Sequence, residues 1–161
     1  MATSTVRHLP GGITVEQLAD DLFVISLELT VDYDISIEEA ASRLNLKNAD
    51  QRLTSENFPA KKRGKETFIA KFVNFRRKLE EIEALSLLLK MDLHPEGVRA
   101  LIAAYELHPI VFPGSFPTVA IGSCKNFGFG SECATLANEE GEDCLNLYGG
   151  SWDPAWWFVA R

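Results

Sequence analysis

Few residues of this chain combine a type and a spacing that could do chemistry. Cys124 follows Gly122-Ser123 and precedes Lys125, whose charge would lower a thiol pKa. A cysteine nucleophile also needs a nearby base. His94 and His108 are the candidates, and a small Cys-dependent hydrolase or transferase is the enzymatic reading. Gly122-Ser123-Cys124-Lys125 is not a G-x-S-x-G elbow, however. Both histidines stand at helix ends next to proline, where caps and surface residues are common, and the third, His8, lies near the N-terminus. No HxH or HxxxH pair occurs, and Cys124, Cys133 and Cys144 lack CxxC spacing, so no metal or cofactor is expected.

The carboxylates and glycines are equally unspecific. Glu139, Glu140, Glu142 and Asp143 lack the alternation and distal Glu of an EF-hand and read as a solvated turn. Asp32 and Asp34 fall on one face of a strand and read as wet. Asn126-Phe127-Gly128-Phe129-Gly130 has no following Lys-Ser/Thr and no helix, so it is no phosphate cradle. Its two phenylalanines are instead candidate contacts. So are Trp152 and Trp156, because large aromatic side chains with a polar atom make good anchors. The preferred reading is therefore a non-enzymatic binding or interaction module, with Phe127, Phe129, Trp152 and Trp156 facing a protein or small-molecule partner.

Composition narrows the partners. The chain has 161 residues, is 46% apolar and carries a net charge of -7. Nucleic-acid binding draws on many Lys and Arg to displace counterions, and this balance disfavours it. Lys61, Lys62, Arg63 and Lys65, with Arg76, Arg77 and Lys78, flank the two ends of one predicted strand and need not meet. No apolar run approaches the roughly 20 residues of a membrane span, and no secretory leader is seen. A single soluble, cytoplasmic domain over 1–161 is expected, with 1–12 as a flexible arm and the oligomeric state open.

The elements that would position these residues follow from hydrophobic period. Ile13 to Asp21 reads as a helical turn or two. Leu22 to Asp34 alternates strictly, with Ile25, Leu27, Leu29 and Val31 on one face and Ser26, Glu28 and Thr30 on the other, and predicts a half-buried strand. Ser36 with Glu39 three residues on marks a helix start. Glu66 to Phe75 predicts a second strand. Residues 77–90 read as a helix burying Leu79, Ile82, Leu85 and Leu89. A second helix opens at Pro95 and buries Val98, Leu101, Ile102 and Tyr105. Beyond Pro109, four short strands are expected at Thr118–Gly122, Cys133–Ala137, Cys144–Tyr148 and Trp156–Ala160, with Asn138–Asp143 as a turn. In that hairpin Cys133 faces Tyr148 and Cys144 faces Ala137, too far apart to bond. Three reduced thiols are expected. The fold class is α+β, an antiparallel or mixed sheet packed on two central helices with a loop-rich C-terminal set of strands.

In order, the runs Thr30-Val31-Asp32-Tyr33-Asp34-Ile35-Ser36, Glu56-Asn57-Phe58-Pro59, Phe116-Pro117-Thr118-Val119-Ala120-Ile121-Gly122-Ser123 and Trp157-Phe158-Val159-Ala160-Arg161 resemble an uncharacterised family of small proteins from uncultivated candidate-phylum bacteria. The resemblance covers residues 28–161 and its FPxVAxGS run is the most specific part. His94-Pro95-Glu96 and Trp157 depart from the family pattern. The resemblance implies a bacterial source and this order of elements, and no activity. A weaker analogy, to C-type-lectin-like domains, implies a binding face on the C-terminal loops.

Overall fold

The computed structural model describes residues 4–114 and 116–161. Eleven strands and three helices follow one another along these residues. They are β1 (Thr5–Leu9), β2 (Ile13–Ala19), β3 (Leu22–Asp32), α1 (Ile37–Ser42), β4 (Asn48–Ala49), β5 (Lys65–Asn74), β6 (Leu79–Glu80), α2 (Glu81–Lys90), α3 (Val98–Leu107), β7 (Thr118–Asn126), β8 (Ser131–Glu139), β9 (Glu142–Gly149), β10 (Ser151–Trp152) and β11 (Trp157–Ala160). Nine strands form one sheet in the order β1-β2-β3-β5-β11-β7-β8-β9-β4. Its pairs are antiparallel except β11 with β7 and β4 with β9. β6 and β10 pair separately.

This corrects the expected fold class. The protein is mostly sheet, and its helices do not form a central layer. α3 covers one face, where Leu101, Ile102 and Tyr105 meet Ile25, Leu27, Leu29, Phe72, Ala120, Leu136 and Val159. α2, β6 and Trp152 cover the other, where Val24, Val73, Val119, Cys133 and Phe158 lie. Neighbours in sequence thus enter opposite cores, as period-two strands require. The run Trp156-Trp157-Phe158 has this cause, because β11 is central: Trp157 enters the α3 side, and Trp156 and Phe158 the α2 side.

The N-terminal arm and the helical turns at 13–21 are also corrected. Thr5–Leu9 and Ile13–Ala19 form a hairpin on the edge of the sheet, while residues 1–3 of the expected arm lie outside the described residues. Gly11 and Gly12 take positive φ, which lets the chain reverse there. The strand at 22–32 and the capping of α1 by Ser36, whose Oγ accepts from the Glu39 N–H at 3.0 Å, agree with the pattern. Three further departures matter. α3 begins at Val98 rather than Pro95, which bridges to Ala160 in the sheet. α2 buries Ala84 and Leu88, and its Ile82, Leu85 and Leu89 face outward. Finally, Cys124 and Cys133 are joined by a disulfide, leaving Cys144 as a buried free thiol. The three reduced thiols are corrected, although Cys133 does face Tyr148 and Cys144 does face Ala137.

Candidate functional site: a basic cleft at the start of α3

A cleft of about 380 Å³ opens where α3 begins. That is the lower end of the roughly 300–1,000 Å³ typical of small-molecule sites. Its walls come from the residue after β3 (Tyr33), the loop Asn57–Lys62, the α3 start (Pro95–Arg99), the middle of β7 (Gly122–Cys124) and Arg161.

The floor is set by an irregularity in β7. Its register with β8 is regular through Ala120↔Ala134 and resumes at Cys124↔Cys133, so Ile121, Gly122 and Ser123 bulge out. The bulge docks the helix start. The Gly122 N–H donates to the Glu96 carbonyl at 3.1 Å, and Ser123 Oγ accepts from the Val98 N–H at 2.8 Å. Two glycines permit this approach. A Cβ on Gly122 would lie 2.6 Å from the Glu96 carbonyl oxygen, and one on Gly97 would lie 2.6 Å from Ser123 Oγ. The Gly122-Ser123 end of the FPxVAxGS run is therefore the part of that motif that builds the cleft.

The charges are unusual for so acidic a chain. Lys61, Lys62, Arg99 and Arg161 line the cleft, and among the described residues Glu96 is the one acidic side chain in its lining. Arg161 is already committed, to Glu66 at 2.6 Å and to Glu96 at 3.0 Å. Lys62 pairs with Glu66 at 2.7 Å. Arg99 differs. Its guanidinium donates to the Ile35 carbonyl at 2.6 Å and to Ser55 Oγ at 3.2 Å, and it has no carboxylate at ion-pair distance among the described residues. Burial, opposed by Glu38, Tyr33 and Asp32, holds its pKa below that of a free arginine. Burial likewise raises Glu96 despite Arg161 beside it, and raises Tyr33, with Glu96 and Glu66 adding to the effect. An anion entering the cleft would relieve Arg99 and meet the helix N-terminus, where backbone N–H groups favour negative charge.

The residues singled out from sequence divide sharply. Trp152 is 1% exposed and belongs to the core, with Tyr148 tilted against it and Trp156 edge-on to it, at ring distances of 5.2 Å each. Its indole N–H has no acceptor among the described residues. Trp156 is partly buried on the same side. Both therefore pack the α2 face rather than present a contact. Phe129 is 100% exposed. Phe127 is held beside the cleft, 6.3 Å from the ring of Phe58, with Arg52 4.8 Å and Lys125 5.7 Å from its centroid. Asp50 and Glu132 fix Arg52 in turn.

Cys124 lines the cleft, but its sulfur is bonded to Cys133 and offers no free thiolate. The backbone of His94 pairs with Arg161, and His108 caps the far end of α3 against Gly11. The Cys–His arrangement is thus absent from this state of the protein. The basic residues at 61–65 and 76–78 stand at opposite ends of the ten-residue β5 and form no common patch. Sequence reasoning missed Arg99, Tyr33 and Glu96. They come from two segments far apart in sequence, and only Lys61 and Lys62 drew notice as charges. Among the described residues, no helix is long and apolar enough to cross a membrane.

No protein-family model, curated protein or solved structure matches the chain. The resemblance and the lectin-like analogy therefore rest on their residues alone.

Proposed function

We propose that this protein is a binding module without catalysis of its own, and that it takes a small organic anion, a carboxylate or phosphate, in the cleft at the start of α3. The observation that carries this is a half-buried arginine, Arg99, with no carboxylate at ion-pair distance among the described residues, in a basic cleft of a chain with net charge -7. The aromatic loop remains part of the reading as a rim: Phe127 packs on Phe58 in the cleft wall, and Phe129 projects into solvent beside it. Trp152 and Trp156 leave it, because they are packed. A cysteine nucleophile draws no support while Cys124 is cross-linked.

The cross-link also bears on location. Disulfides persist in oxidising compartments. The cytoplasmic setting expected from the sequence then holds only if Cys124 and Cys133 are reduced in the cell, which thiol trapping at lysis decides.

Thermal unfolding tests the binding proposal with succinate and inorganic phosphate as probes, against sodium chloride of equal ionic strength. A ligand at tenfold its Kd stabilises by about 1.4 kcal/mol. For a domain of this size that raises Tm by about 3–6 °C. The rise should vanish in Arg99→Gln. No rise beyond the chloride control with either probe, or an equal rise in the variant, overturns the proposal.

A further inference from the structure

The end of the β7 bulge and the start of α2 bring three metal-ligating side chains together. Cys124 and Cys133 face each other directly across the β7–β8 pair, with Cα atoms 4.0 Å apart. Both lie on the α2 side of the sheet. Glu81, the first residue of α2, reaches the same place: a carboxylate oxygen and the two sulfurs all lie within 4.8 Å of one another. Three acids stand at the start of this helix, and two of them serve its cap. Glu83 accepts the Glu80 N–H at 2.9 Å, and Glu80 accepts the Glu83 N–H in return. Glu81 is the third, partly buried against the sulfurs and without an ion pair among the described residues.

We propose that the reduced protein holds Zn²⁺ at Cys124, Cys133 and Glu81, so that a disulfide and a metal centre are alternative states of the same two sulfurs. Two thiolates and one carboxylate are a ligand set that Zn²⁺ accepts, and three protein ligands leave its fourth position to water. Mg²⁺ and Ca²⁺ take oxygen ligands instead. The span fits as well. Tetrahedral bonds of about 2.3 Å to sulfur and about 2.0 Å to oxygen set the ligand atoms about 3.5–3.8 Å apart, so the Glu81 oxygen has only about 1 Å to close. Cys133 is buried, while Cys124 and Glu81 are partly exposed, which gives the ion an entry path and water a way to the open position. The exchange balances. A dithiol reductant gives the disulfide two electrons and two protons and becomes a disulfide itself. Zn²⁺ then takes both sulfurs as thiolates, and their two protons pass to solvent. Cys144 takes no part, because it faces Ala137, further along the β8–β9 ladder. The inference does not rest on anion binding in the cleft.

The test reduces the full chain with a phosphine, removes the phosphine by gel filtration without oxygen, and titrates with Co²⁺ and then Zn²⁺. The expected result is a thiolate-to-cobalt charge-transfer band in the near ultraviolet that saturates at one ion per chain and that Zn²⁺ abolishes. The oxidised protein shows no such band. Glu81→Gln weakens Zn²⁺ binding at least about tenfold, a loss that even a partner of a metal ligand causes. Bound Zn²⁺ also slows re-formation of the Cys124–Cys133 bond by oxidised glutathione, and does so less in Glu81→Gln. If the reduced protein unfolds, Zn²⁺ restores its far-ultraviolet circular dichroism, again less well in Glu81→Gln. No band in the folded reduced protein, the same band in the oxidised protein, an unfolded reduced protein that Zn²⁺ does not restore, or Zn²⁺ affinity unchanged in Glu81→Gln overturns the proposal.

Discussion

The docking of α3 on the β7 bulge makes a prediction that can be worked through in energy. Ser123→Ala removes the acceptor of the buried Val98 N–H. Losing a helix cap costs about 1 kcal/mol, and leaving a buried donor unpaired costs about 1–3 kcal/mol, so a loss of about 1.5–2 kcal/mol is expected. Gly97→Ala alone places a methyl 2.6 Å from Ser123 Oγ, and the serine must swing away and surrender the same hydrogen bond. Its cost is then about 2 kcal/mol by the same reckoning. Together the two changes are not additive. Without Oγ, the new methyl meets only Ser123 Cβ at 3.9 Å, an ordinary contact. The double variant should therefore lose about as much as Ser123→Ala alone, a coupling of about 1.5–2 kcal/mol within the range seen for contacting residues. Urea unfolding of the four proteins, with equal m-values as the check on two-state behaviour, reads the cycle. Additive costs within about 0.3–0.5 kcal/mol would refute the claim that Gly97 is present to admit Ser123. Gly122→Ala is the companion case. Its methyl would meet backbone atoms at 2.6 and 2.7 Å, which cannot rotate away, and no partner change should rescue it.

Three other outcomes are expected. Asp50 is held below the usual carboxylate range, chiefly by its hydrogen bond to Arg52. Its folded pKa lies below its unfolded one, so its contribution is present above about pH 4 and is lost as pH falls through the folded value. Asp50→Asn should thus cost about 1–2 kcal/mol at pH 7, a cost that shrinks in urea melts as pH falls through the folded value. Thiol titration of the denatured, unreduced protein should give one free thiol per chain, Cys144; opening the Cys124–Cys133 bond, which closes a nine-residue separation, should cost about 2–3 kcal/mol. Phe129→Ser should leave Tm within the scatter of a surface change, about 0.5 kcal/mol, because that side chain touches only solvent.

Local pattern made β3, β5, the C-terminal hairpin and the α1 cap legible in the sequence, because each is written in adjacent residues. What escaped depends on long-range pairing. β1 and β2 form an edge hairpin whose outer strand is exposed along its whole length, so apolar alternation barely marks it. In α2 both stripes satisfy a helical period, and only the sheet chooses Ala84 and Leu88 over Ile82 and Leu89. The disulfide required the β7–β8 register, which the three bulged residues displace from simple counting. The cleft was least legible of all. Tyr33, Glu96, Arg99 and Arg161 meet only once β3, α3 and β11 are assembled, and the runs that hold Tyr33 and Arg161 signal no chemistry.

Binding of small anions in the cleft at the start of α3 can be followed residue by residue. Amide chemical shifts followed during titration of the isotope-labelled protein with succinate, then phosphate, test it most directly. Saturable shifts centred on Gly97, Val98, Arg99 and Lys62, abolished by Arg99→Gln, are expected. Shifts matched by sodium chloride, or centred on a face remote from these residues, would contradict it.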